Sequence, residues 1–183
     1  MPPGEALCLS CGMCCDGSLF ARVDLAPGEG APLGHPGRDA MPQPCRQLGP
    51  ARACAVYAAR PTKCRAYTCH LFDRVATGAV TPAFAASVVA CARDLQRRSI
   101  AASHAAMGAR DAASPVTDAS SAFLDLIARS VEHGVADRPA FDEAVFHWNV
   151  VKHYVRKHFE PNYCPDPTPR GDAAPATATG ASA

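Results

Sequence analysis

The sequence predicts a small α-rich domain, in which an irregular N-terminal half packs on two or three helices and a disordered tail follows. Three observations lead to this fold class. Eight of the ten cysteines lie before residue 78, among many Pro and Gly residues. Apolar residues recur at helical spacing between residue 81 and about residue 160. The end of the chain is mostly Pro, Ala and Thr. We therefore divide the 183 residues into segments 1–78, 79–160 and 161–183, the first two forming one domain.

The overall composition excludes several classes of protein. The formal net charge of +1 gives no argument for nucleic acid, and we expect no such partner. The first residues lack the charged start and apolar run of a signal peptide. No run of apolar residues reaches the length of a membrane span, so we expect no membrane partner. These features predict a cytoplasmic protein, where cysteine patterns more often indicate metal sites than disulfides.

The N-terminal segment is predicted to hold short, irregular elements. Residues 18–25 alternate roughly as a strand does, and residues 26–44 have the composition of a loop. A Gly-Pro turn within residues 45–57 favours a short hairpin. Pro61 can open a short helix that ends near Gly78.

The second segment is predicted to contain the helices. Thr81 and Pro82 form a cap and first turn, and the first helix would bury a face of four residues: Phe84, Val88, Cys91 and Leu95. On that face Cys91 is interpreted as a small core residue rather than a ligand.

Two more helices and the tail follow. One should run over about 118–133 and end at Gly134; its inward residues would be Phe123, Leu126, Ile127 and Val131. The next should start near Asp137 and stop at Pro161, with an apolar stripe of Phe141, Val145, Trp148 and Val155. The tail from Cys164 onward is expected to be disordered, with that thiol incidental.

The first cysteine cluster has the spacing Cys8-x2-Cys11-x2-Cys14-Cys15. Two-residue gaps let thiolates converge on one zinc ion, and iron–sulfur clusters use similar runs. Adjacent side chains tend to diverge, so the Cys14–Cys15 pair indicates either two neighbouring metal atoms or one cluster with an extra thiol.

The second cluster contains Cys45, Cys54, Cys64 and Cys69. On a regular helix Cys64 and Cys69 would point about 140° apart, so either the helix is interrupted or the two thiolates serve different metals. Four plus four thiols match two four-ligand sites, or one cluster with spare reactive thiols. The eight cysteines are therefore the candidate metal ligands, and metal–thiolate bonds would staple the irregular half.

Basic residues surround the second cluster. Between Cys45 and Phe72 there are five cations and no acidic residue: Arg46, Arg52, Arg60, Lys63 and Arg65. Nearby cations lower thiol pKa values and offset the negative charge of a metal–thiolate centre. A solvated basic face or an anion-binding patch is the alternative interpretation.

The stretches CLSCGMCC, CRQL and CAVYAARPTKCRAYTC resemble the YkgJ-type cysteine-cluster family, a zinc- or iron-chelating CxxCxxCC domain. The resemblance covers residues 8 to about 72. It rests on the cysteine spacing together with Val56, Tyr57, Arg60, Pro61, Arg65 and Tyr67. It implies a metal-chelating protein. Flagellin lysine N-methylases carry a similar cluster, although this chain is much shorter and its helical half shows no methyl-transfer motif.

Three functions follow as hypotheses. The first is a metal-binding protein with zinc or an iron–sulfur cluster in a structural or sensing role. The second is an iron–sulfur enzyme that modifies a protein or peptide, and the third is a redox sensor based on thiols. Tyr57, Arg60 and Arg65 are the candidate cofactor-binding residues, and the two arginines could bind an anionic substrate beside the centre. The favoured alternative is structural, with Tyr57 packed over the metal site and Arg60 paired with a thiolate or carbonyl. His70 and the Glu143–His147 pair are weaker candidates, best explained as surface groups.

Overall fold

A computed structural model describes residues 3–108 and 118–160 of the chain. These ranges contain six α-helices and one two-stranded antiparallel sheet, which confirms the predicted α-rich class. The elements are α1 Pro3–Cys11, β1 Arg22–Asp24, β2 Ala40–Pro42, α2 Thr62–Ala66, α3 His70–Ala76, α4 Pro82–Met107, α5 Ala119–His133 and α6 Arg138–Phe159. The predicted disordered tail lies outside the described residues.

The three long helices form the scaffold. Each begins at a side chain that accepts a hydrogen bond from a backbone amide three residues later: Thr81 for α4, Asp118 for α5 and Asp137 for α6. The donor–acceptor distances are 2.8–3.1 Å. Proline occupies the first turn of α4 and of α6, where its missing amide costs no hydrogen bond. Helix α4 packs most extensively against α6 and then against α5.

The buried face of α4 differs from the predicted one. Val88 is buried as expected, but Phe84 is 46% exposed and Cys91 is exposed, so the prediction that Cys91 is a core residue is wrong. The buried positions are Ala85, Val88, Val89, Ala92, Gln96, Ser99 and Ser103. These buried positions follow the helical repeat, but most of them carry small side chains. A prediction based on large apolar side chains therefore does not identify them.

Helices α5 and α6 are partly as predicted. Leu126 and Val155 are buried, whereas Val131 is 83% exposed and does not face inward. Phe123 of α5 stacks on Trp148 of α6 with ring centroids 5.2 Å apart and planes 13° from parallel. The apolar side of α5 is therefore concentrated in its first half, where it contacts α6.

The N-terminal half is more regular than predicted. Residues 3–11 form α1, because Glu, Ala and Leu favour helix there despite the Pro and Gly at its start. The loop predicted over 26–44 is wrong at its end, since β2 pairs with β1 and places Met41 opposite Val23. The predicted hairpin within 45–57 exists as an isolated bridge between Leu48 and Cys54.

Two groups of buried residues support these elements. The larger group joins α1, α3, α4 and α6 and includes Leu7, Leu71, Val88 and Phe159. The smaller group lies beside the sheet and consists of Leu25, Leu33 and Met41. Within residues 3–108 and 118–160, none of the helices has both the length and the apolar character needed to cross a membrane.

Candidate metal centre

The eight cysteines predicted as ligands line one cavity of about 310 Å³. The two sequence clusters, which are 30 residues apart at their nearest, are thus brought to the same place. Tyr57, Arg60, Tyr67 and Phe159 also line this space. Cysteines 91 and 164 take no part in it as far as the chain is described, because Cys91 is exposed on α4 and Cys164 lies outside the described residues.

The first cluster combines a helix with a tight turn. Cys8 and Cys11 are three residues apart on α1, so they share one face of the helix. The helix ends at Gly12, which has the positive φ of +70° that favours glycine. The amides of Cys15 and Asp16 both donate to the Gly12 carbonyl at 3.0 Å. This turn brings Cys14 and Cys15 to the cavity beside the end of the helix.

Two arginines bind the last carbonyls of α1. Arg93 of α4 donates to the carbonyls of Ser10 and Cys11, the latter at 2.7 Å. Arg52 donates to the same Cys11 carbonyl at 3.4 Å. Cations are favourable at a helix C-terminus, where carbonyls lack helical partners. The position of the first cluster is therefore fixed by side chains from two distant segments.

A buried carboxylate extends this arrangement. Asp16 accepts hydrogen bonds from the Arg52 guanidinium and from the amide and hydroxyl of Ser18. The Ser18 hydroxyl also accepts a hydrogen bond from the Gln96 amide group on α4. Sequence reasoning did not identify Asp16 or Arg93. The one available signal was an aspartate directly after the adjacent cysteines.

The second cluster comes from three short elements. The amide of Cys45 donates to the carbonyl of Cys15 at 2.7 Å, and the Leu48–Cys54 bridge brings Cys54 back beside it. Cys64 lies on α2, and Cys69 precedes α3. The chain is extended at Tyr67, between these two helices, so the helix is interrupted between Cys64 and Cys69.

Two of these sulfurs accept backbone hydrogen bonds. The Cys69 Sγ accepts from the Phe72 amide and caps α3, and the Cys45 Sγ accepts from the Gln47 amide, both at 3.4 Å. Such amides help to hold negative charge on sulfur.

The electrostatic neighbours of the thiols fall into two groups. The charge of Cys69 raises the pKa values of Cys8, Cys11 and Cys14. These four residues are called the helix set. The charges of Cys45, Cys54 and Cys64 raise the pKa of Cys15. These four residues are called the loop set. The effect of Cys15 on the pKa of Cys14 joins the two sets.

Burial dominates the ionisation of the thiols. It is the main cause that raises the pKa of Cys8 to about 11 and the pKa values of Cys11 and Cys15 to about 12, from an ordinary 9.0. Burial, followed by the neighbouring Cys69, raises the pKa of Cys14 further still. The Arg60 guanidinium opposes burial at Cys8 and Cys64, where it lowers the pKa. Without a bound cation these thiols stay protonated at neutral pH.

Two of the three predicted cofactor-binding residues, Tyr57 and Arg60, line the cavity, and the third, Arg65, does not. The Arg60 guanidinium carbon lies 3.6 Å from the centroid of the Tyr57 ring, and its Nε donates to the Tyr57 carbonyl at 2.9 Å. Both residues line the cavity, whereas Arg65 is not among its lining residues and donates to the Thr62 hydroxyl at 3.4 Å on the exposed surface. The contact with the Tyr57 carbonyl agrees with the structural role predicted for Arg60, and anion binding stays a prediction.

The remaining candidates lie away from the cavity lining. His70 is the first residue of α3, and the His147 Nε2 lies 3.7 Å from the Glu143 carboxylate on α6. In the described ranges no group of three or more His, Cys, Asp or Glu side chains has the arrangement of a metal site. Comparison of the chain with family models, curated proteins and solved structures found no match.

Proposed function

We propose that this chain is a metal-binding protein that holds zinc or iron, the latter as an iron–sulfur cluster, through its eight cavity thiols. One observation carries the proposal: all eight cysteines, from two separate parts of the sequence, line a single cavity. Eight thiols in one cavity are unusual for a core built of ordinary apolar residues, whereas sulfur is the preferred ligand of zinc and of iron–sulfur clusters.

The surroundings of the cavity suit thiolate ligands. Backbone amides already donate to the sulfurs of Cys45 and Cys69. Burial raises the pKa values of Cys8 and Cys64, and the Arg60 guanidinium partly offsets that rise. Ligand formation would need the side chains to turn further inward, since the thiols border the cavity without grouping as a metal site in the described chain. A bound cation supplies the driving force for this movement by replacing the thiol protons.

The structural part of the role follows from the thin packing around the cavity. The buried group beside the sheet has three members, and α2 has five residues, so the apolar contacts of this region are few. Structural zinc contributes about 10–16 kcal/mol in small modules, which exceeds the usual stability of a whole domain. Metal–thiolate bonds would therefore stabilise the part of the cavity beside the sheet more than its apolar contacts do.

The resemblance to the YkgJ-type family supports the same proposal. The residues that carry it include Tyr57, Arg60 and Tyr67, and all three border the cavity with the cysteines. We infer from this that the family pattern describes the lining of one metal-binding cavity. A sensing role is included in the proposal, since release of the metal would leave eight thiols open to oxidation.

Metal analysis of freshly isolated protein tests the proposal. The full chain is purified anaerobically, and zinc and iron are quantified per chain together with the visible absorption spectrum. Zinc in a colourless protein supports a structural site, and a brown protein that reductant bleaches supports an iron–sulfur cluster. The control is Cys91→Ser, which should keep the same metal content because Cys91 lies on the exposed surface of α4.

Two results would overturn the proposal. One is a metal-free protein that is fully folded and takes up neither zinc nor reconstituted iron–sulfur. The other is a set of disulfides among the eight cysteines in protein isolated without oxidant, which would favour the redox-sensor alternative. The enzymatic alternative requires a protein or peptide substrate whose modification depends on the iron–sulfur form.

A further inference from the structure

We infer that the eight thiols form two separate four-thiol metal sites, one made by the helix set and one by the loop set. This inference rests on the proposed metal-binding function and adds to it the assignment of ligands. It means that the adjacent cysteines divide, with Cys14 serving the site beside α1 and α3 and Cys15 serving the site beside the hairpin and α2.

Packing separates the two sets. Cys11 and Cys69 belong to the large buried group formed by α1, α3, α4 and α6. Cys45 and Cys64 pack instead against the small buried group beside the sheet, which contains Leu25, Leu33 and Met41. These two members of each set are therefore attached to different walls of the cavity, and each wall has its own apolar support.

Backbone contacts within each set support the same division of the thiols. Helices α1 and α3, which carry or adjoin the helix set, contact each other directly. In the loop set, the Cys45 amide donates to the Cys15 carbonyl at 2.7 Å, and the Leu48–Cys54 bridge closes the hairpin beside them. Helix α2, which carries Cys64, contacts β1 rather than the long helices as its principal neighbour.

The chemistry of each set is complete by itself. Four thiols match the ligand number of a structural zinc ion or of a four-iron cluster. A three-cysteine run with two-residue gaps and a distant fourth cysteine, as in the helix set, is an arrangement that grips a single centre. The next cysteine of such a run can then reach a second centre, and Cys15 does so here. Each thiol gives up its proton to the solvent as it binds the cation.

Cobalt(II) titration under reducing, anaerobic conditions tests the division, because cobalt replaces zinc in thiolate sites and gives a coloured complex. The metal-free full chain should bind two cobalt ions per chain, and Cys91→Ser should also bind two. Cys8→Ser and Cys54→Ser are the single variants, since both thiols are partly exposed and their loss should disturb the core least. Each single variant should bind one cobalt ion.

The decisive comparison is between two double variants. Cys8→Ser/Cys69→Ser removes two ligands of the helix set and should still bind one ion. Cys8→Ser/Cys54→Ser removes one ligand from each set and should bind none. The helical signal in circular dichroism, to which α4, α5 and α6 contribute most, shows whether each variant is folded. If Cys69→Ser impairs folding, Cys8→Ser/Cys14→Ser provides the same comparison.

The outcomes distinguish this inference from the function on which it rests. If the unaltered chain binds no cobalt and takes up no reconstituted iron–sulfur cluster, the metal-binding proposal fails and the division fails with it. If the unaltered chain binds metal but both double variants lose the same fraction of it, the thiols share one centre and the division alone is wrong.

Discussion

The buried carboxylate of Asp16 forms an ion pair with the partly exposed guanidinium of Arg52, which lies 36 residues later in the chain. Asp16 directly follows the adjacent cysteines, and Arg52 also binds the carbonyl of Cys11. The pair therefore connects the turn of the first cysteine cluster to the hairpin that carries part of the second. Its effect on stability can be measured with one substitution and a matched surface control.

Asp16→Ala should destabilise the metal-free protein by about 2–3 kcal/mol. The reason is that Ser18 and Arg52 lose their acceptor, although partial exposure of Arg52 moderates the cost of its uncompensated charge. Asp94→Ala is the control, since Asp94 pairs with Arg97 and Arg98 on the exposed side of α4. That control should cost at most about 0.5 kcal/mol. Urea denaturation measures both, and equal losses would contradict the role assigned to Asp16.

Gly12→Ala should be more damaging than Gly78→Ala. Both glycines have φ near +70°, at +70° and +74°, so both substitutions carry the backbone cost of about 1–2 kcal/mol. A Cβ at Gly12 would also lie 3.0 Å from the Arg52 carbonyl oxygen, whereas no atom lies within 4 Å of a Cβ at Gly78. The difference between the two free energies of unfolding thus isolates the close approach of the two cysteine segments. If the two variants are equally stable, that approach is not tight in solution.

The metal-free protein should lose stability as the pH rises from about 9 toward 11 or 12. Burial raises the pKa of Cys8 to about 11 and those of Cys11 and Cys15 to about 12, from 9.0. The unfolded chain then loses thiol protons first, so ionisation favours unfolding across this window, and below pH 9 the thiols are protonated in both states. Denaturation midpoints at several pH values measure the effect.

Cys8→Ser is the control for that pH series. It keeps the lysine and tyrosine groups that titrate in the same range and removes one thiol of raised pKa. Its stability should decline less steeply with pH than that of the unaltered chain. The assignment to thiols would be wrong if the two slopes coincided.

Val88→Ala and Val131→Ala compare the same substitution at two helix positions. Val88 is buried on α4, and Val131 is 83% exposed on α5. The first change should cost about 2 kcal/mol because it removes two buried carbon atoms and leaves a small cavity, and the second should cost close to nothing. Thermal or chemical unfolding measures both. A large loss at Val131 would show that the inward face predicted from the sequence is the true one.

The sequence was sufficient to predict the three long helices, and Thr81, Pro82 and Asp137 mark the starts of α4 and α6 in a local pattern. Their buried faces were harder to predict, as the case of α4 shows: Ala85, Ala92 and Ser99 are buried, while Phe84 and Cys91 are exposed. Small residues permit close helix contact without an apolar signal strong enough to stand out in an alanine-rich chain.

The sequence predicted the thiols that line the cavity but not the charged residues that hold the cysteine segments in place. Cysteine spacing alone identified all eight lining thiols, because the residue type and the gaps are local properties. Asp16, Arg52 and Arg93 depend on contacts between positions 36 to 83 residues apart. No local pattern encodes such pairings, and a charged residue on an ordinary helix has the same appearance whether it faces water or a distant carbonyl.

Phe159, the last residue of α6, is almost wholly buried and lines the same cavity as Leu7 and Cys8, which come from the start of the chain. During synthesis the wall it provides is therefore missing until nearly the whole domain has left the ribosome. The nascent thiols spend that interval accessible to oxidants and to any thiophilic cation in the cell. Truncation before residue 159 would leave the cavity without this wall.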